Sequence, residues 1–139
     1  ELVRLMTGVM CRAGETQIAR VLRHAVKQAA ERRVHALVFV GDACEESVDE
    51  LAGIAGELGL RGVKAFLFRE GDDPKATTAF GRIAELTGGA HCRFDAASPD
   101  QLRQLLGAVA AYAAGGRKAL LASAAGAVGP VRLLAQQVR

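Results

Sequence analysis

Asp42 is the residue best placed to do chemistry. It closes the run HALVFVGD, in which an apolar segment from Ala36 to Val40 ends at Gly41 and delivers a carboxylate. An apolar strand without polar alternation suits a parallel sheet covered on both faces. Ligands of such sheets bind beyond the carboxyl ends of the strands. Thr16 belongs to the same rim, because a helix leading into a parallel strand starts at that end. Both residues offer oxygen, which suits a hard divalent cation such as Mg²⁺. Each also has a plainer reading. Asp42 can accept from loop amides, and the Thr16 hydroxyl can cap the helix that follows.

The elements that must hold these residues are legible in the periodicity. TQIARVLRHAVKQAAERR, from Thr16, puts Ile18, Val21, Leu22, Ala25 and Ala29 on one helical face. Ser47 and Glu50 form a capping box before a helix with Val48, Leu51, Ala52, Ala55 and Leu58 on its apolar stripe, ended by Gly59 and Gly62. VKAFLF (63–68) reads as a second strand. Asp73 and Pro74 then open a helix that buries Phe80, Ile83, Ala84 and Leu86 and stops at Gly88 and Gly89. AHCRF (90–94) is a third, shorter strand. Ser98-Pro99 opens a helix bearing Leu102, Leu105, Leu106, Val109 and Tyr112 on one face. Upstream, Glu1 to Met6 reads as the end of a helix and Gly8 to Glu15 as a loop.

Alternating helices and strands with short connections predict an α/β fold, a three-layer (αβα) Rossmann-like parallel sheet. The domain is expected over residues 1–115. Residues 116–139, Ala-rich and interrupted by Gly126, Gly129 and Pro130, are expected as a helical tail or linker. Three strands leave an open edge, which further strands upstream of Glu1 or a second copy of the chain would cover.

Composition narrows the function classes. The 139 residues carry a formal charge of +3, with cations scattered among acids, few aromatics and no Trp. Nucleic-acid binding is therefore not expected. No apolar run is long enough to span a bilayer, so no membrane role is expected. Three widely spaced cysteines, Cys11, Cys44 and Cys92, form neither a disulfide framework nor a CxxC zinc pair. Reduced thiols fit a cytoplasmic protein. His91 and Cys92 are adjacent on a strand and point to opposite faces, so they do not share a metal. No Gly-rich phosphate loop and no G-x-S-x-G elbow occur. Glu45 and Glu46 read as acids favourable to the start of the next helix. Cys44 reads as an unactivated thiol, with a nucleophile as the alternative.

GETQI, at Gly14 to Ile18, resembles the G-x-T-x-I stretch of von Willebrand factor A domains. LVFVGDACEE resembles the strand and turn that carry the next metal-site Asp in that family, with Ala43-Cys44 where Gly is usual. LTGGAHCRFD resembles the family's closing helix and strand. The likeness covers roughly Gly8 to Tyr112 and is nearest to bacterial proteins of this type. It implies a protein-interaction module whose metal-ion-dependent adhesion site binds Mg²⁺ or Mn²⁺, completed by an acidic residue of a protein partner. By this resemblance Thr16 and Asp42 are metal ligands, with Gly14, Glu15, Gly41, Cys44 and Glu45 contributing to the rim. The family's D-x-[ST]-x-S element is absent from these residues, so weak metal binding is expected, with the element upstream of Glu1. No catalytic residue is implied. The alternatives are a small α/β enzyme using Asp42 with Cys44, and a structural module that homodimerises through the open sheet edge.

Overall fold

The computed structural model describes residues 18–31, 34, 36–41, 46–95, 97, 99–124 and 130–138. The elements run α1 (Ile18–Glu31), β1 (Ala36–Gly41), α2 (Val48–Leu60), β2 (Lys64–Glu70), α3 (Pro74–Thr87), β3 (Ala90–Phe94), α4 (Pro99–Ala124) and α5 (Pro130–Gln137). The upstream segments read as a helix end and a loop lie outside the described residues.

The three strands form one parallel sheet in the order β1-β2-β3. Val38 pairs with Phe66, and Phe68 with Cys92. Side chains of a strand alternate between faces, and here each face is covered. Leu37, Phe39, Ala65 and Leu67 pack with Ile18, Leu22, Leu51, Leu58, Phe80 and Ile83 of α1, α2 and α3. Ala36, Val38, Phe66, Phe68, Cys92 and Phe94 pack with Leu105 and Val109 of α4 and Leu134 of α5. Burial on both faces explains the unbroken apolar runs of β1 and β2. The α/β class and the helices on both sides are as the periodicity predicts.

Helix starts follow local chemistry in two different ways. At α2 the Ser47 side chain accepts from the Glu50 amide at 3.4 Å, as the capping box predicts. At α3 Asp73 occupies the N-cap position and Pro74 the first turn, but the Asp73 carboxylate makes no capping hydrogen bond. Its carbonyl instead accepts from the Thr77 amide and hydroxyl, both at 2.9 Å. Cap-then-Pro therefore holds here as a backbone pattern only.

Thr87, Gly88 and Gly89 join α3 to β3, and each has its own reason. The Thr87 hydroxyl accepts from the Ala65 amide at 3.1 Å and lies 3.0 Å from the Ile83 carbonyl, to which it donates. Ala65 needs that acceptor because β3 begins opposite Phe66, one residue further along β2. Gly88 ends the helix in the left-handed region, at φ 74°. Gly89 passes so close to β2 that a Cβ would sit 2.0 Å from the Ala65 carbonyl oxygen.

Residues 117–124 and 130–137, read from sequence as a helical tail or linker, are helical. They place Leu120, Val131, Leu134 and Ala135 in the buried layer beneath β2 and β3. The chain bends into this position at Gly116 (φ 74°, ψ −163°), inside α4. The Arg117 Nε donates to the Val138 carbonyl at 3.1 Å, tying the two helical pieces together. The Gln137 amide then closes the outer edge of β3. Its Oε1 accepts from the His91 amide at 2.9 Å and its Nε2 donates to the His91 carbonyl at 3.0 Å. A side-chain amide thus supplies the ladder bonds that another strand would make.

Candidate functional site

The carboxyl ends of the strands define the candidate rim. Of the residues expected there, Gly14, Glu15, Thr16, Asp42, Cys44 and Glu45 lie outside the described residues. Gly41 is described. It ends β1, pairs with Arg69, and is half-buried. A Cβ at this position would stand 2.7 Å from the Phe39 ring, which leans along the strand and meets Phe80 edge-on at 5.6 Å. Aromatic packing therefore explains the glycine.

Glu46 does something the sequence does not announce. It precedes the Ser47 cap, so it is no first-turn acid of α2. Its carboxylate reaches across to α1 instead, accepting from the Ile18 amide through Oε1 and from the Ala19 amide at 2.9 Å through Oε2. The first amides of a helix lack intrahelical acceptors, and the helix dipole favours an anion there. The first turn of α1 has no acid of its own. The contact spans 28 residues, and nothing local in the sequence names this acceptor. An Arg23–Glu50 ion pair at 2.6 Å links the same two helices on the surface.

A second polar group stands at the ends of β2 and β3, on the face covered by α3. Arg69 is buried, 8 % exposed. Its Nε lies 3.2 Å from the His91 Nε2, and its Nη1 donates to the Gly71 carbonyl and faces the Asp72 carboxylate at 3.5 Å. Arg93, the register partner of Arg69, approaches the same Asp72 at 3.0 Å and 3.3 Å. The His91 ring meets Phe80 edge-on at 5.9 Å. Burial, and then the Arg69 charge beside it, lower the His91 pKa from 6.5 to about 4. His91 is thus neutral at pH 7 and accepts from Arg69 through Nε2. Cys92, on the opposite face of β3 as predicted, is a reduced thiol whose pKa burial pushes up to about 12. It is inert at neutral pH. Sequence reading missed this cluster. The one signal was that Arg69, His91 and Arg93 share side-chain parity on neighbouring strands, and pairing register is needed to see it.

Among the described residues, no group of three or more His, Cys, Asp or Glu side chains is arranged to hold a metal ion. No helix among them is long and apolar enough to cross a membrane. Comparison with known families, with characterised proteins and with solved structures gave no match.

Proposed function

We propose that the chain is a von Willebrand factor A-like interaction module that engages a protein partner at the carboxyl rim of its sheet, through a divalent cation held near Thr16 and Asp42. The observation that supports this reading is the Glu46 carboxylate. It bonds the start of α1, two residues after Thr16, to the segment that follows Asp42. The order of helices and strands is compatible with the same reading.

The donor set limits what this chain does alone. Thr16 and Asp42 supply two hard oxygens, and the 139 residues contain no D-x-[ST]-x-S. Mg²⁺ requires near-octahedral oxygen coordination and keeps waters where protein ligands are few. Metal binding by these residues alone is therefore weak, and Mn²⁺ would serve equally. When bound, the ion supplies an open coordination position for an acidic side chain of the partner. Thr16 and Asp42 would hold it, while Glu46 ties the first turn of α1 to the residues that lead into α2. A cytoplasmic location belongs to the same proposal.

Calorimetric titration of Mg²⁺ tests the reading, with this chain compared with a version carrying a D-x-[ST]-x-S segment added upstream of Glu1. The expected result is weak binding here, tighter binding wherever a D-x-[ST]-x-S segment is present, and loss of both on Asp42→Ala. Metal-linked stabilisation should follow the same order. Absence of metal-linked heat and of any shift in unfolding temperature in both proteins would remove the proposal.

A further inference from the structure

We propose that Arg69 and Arg93 form a carboxylate-binding subsite at the carboxyl rim of β2 and β3, which Asp72 fills from within the chain until an outside carboxylate displaces it. The inference stands on the geometry of these side chains and does not depend on the cation reading.

Pairing register forces the two arginines together. They are direct partners on adjacent parallel strands, so their side chains leave the same face side by side. Like charges directly opposite each other destabilise a sheet, and burying the Arg69 guanidinium adds a desolvation cost. Packing alone would favour apolar residues here, as it does one step inward at Leu67. His91 adds no third cation. Its neutral ring accepts from the Arg69 Nε and so orients that guanidinium.

One carboxylate serves both cations. Asp72 meets Arg93 through both oxygens and Arg69 through one. A guanidinium fork matches a carboxylate in this way. Yet the Asp72 side chain is 78 % exposed and rides on the turn after β2. Exposed ion pairs contribute little to stability. The cations are therefore fixed by strands, while their anion is held by a turn and faces water. The ligand class follows from the group already bound: a carboxylate, from an acidic side chain of a protein or from a small carboxylic acid. The position, beyond the carboxyl ends of two parallel strands, is where α/β sheets receive ligands.

The test is an NMR titration of the chain that follows the Nε–H signals of Arg69 and Arg93. Two probes are used, succinate and an end-capped tri-glutamate peptide, at constant chloride. Both arginine signals should move saturably. Asp72→Asn should tighten binding about fivefold or more by removing the internal competitor. Arg93→Gln, at an exposed position, should weaken it about tenfold or more while the amide spectrum stays folded. Tighter binding of the peptide assigns the site to a protein acid; equal or tighter binding of succinate assigns it to a small molecule. Failure of both probes to move the signals in the wild type and in Asp72→Asn overturns the proposal. So does an Asp72→Asn affinity no higher than wild type, or an Arg93→Gln affinity left unchanged.

Discussion

The two faces of the sheet are built on different terms. Beneath α4 and α5 the buried strand side chains are apolar groups and one thiol, with Phe66 stacked obliquely on Tyr112 at 5.6 Å, while the charged Lys64 and Glu70 stand at the two ends of β2. Beneath α1, α2 and α3 the apolar layer stops short of the carboxyl rim, where Arg69 and His91 enter it. The first face is indifferent to pH near neutrality. The second depends on one imidazole staying neutral beside a guanidinium. A single strand, β3, makes the distinction: Ala90, Cys92 and Phe94 point one way, His91 and Arg93 the other.

The largest effects come from emptying either layer. Phe66→Ala and Phe80→Ala should each cost about 3–5 kcal/mol at pH 7, the usual range for a buried ring. Their pH behaviour should part. The Phe66→Ala cost stays constant toward pH 4.5. The Phe80→Ala cost shrinks, because water admitted beside His91 lets it take a proton more easily. Denaturant midpoints across this pH range provide the check, and parallel behaviour would break the comparison.

The His91 contribution comes next. A histidine whose folded pKa is lowered binds fewer protons folded than unfolded. Its stabilisation is fully present above 6.5 and is lost as pH falls toward about 4. At 1.36 kcal/mol per unit, the loss approaches about 3 kcal/mol and is less to the extent that water reaches the ring. His91→Phe should flatten this part of the profile, and an imidazole NMR titration should place the midpoint well below 6. A midpoint near 6.5 would mean that the second face is no more electrostatic than the first.

The smallest effect tests how the faces are joined at the edge. Gln137 comes from a helix of the apolar face and pairs with the backbone of His91, whose side chain serves the other. Gln137→Ala should cost about 1 kcal/mol, since water partly replaces the lost bonds. It should also speed hydrogen exchange at the His91 amide. Unchanged exchange there would show that the edge is closed by other means.

Much of this fold can be read from the chain because its signals are local. The apolar stripe of α2, the Ser47 cap and the run from Ala36 to Gly41 each follow from neighbours a few residues apart. Residues 117–138 were harder. Gly126, Gly129 and Pro130 interrupt the pattern, and Leu120 and Leu134 are core residues only because Gly116 turns the chain back under the sheet. The rim divides in the same way. The end of β1 at Gly41 is visible from pattern, but Glu46 capping a helix 28 residues away is not.

By itself, then, the sequence determined the α/β class, the strand and helix order, and the opposed directions of His91 and Cys92. These follow from side-chain period and cap chemistry, which act over a few residues. Only the tertiary structure decided that Glu46 completes α1, that Gln137 closes the β3 edge, and that Arg69 and Arg93 share Asp72. Each of those depends on strand register or helix docking, and the energy that sets them is summed over the whole packed core rather than carried by any local segment.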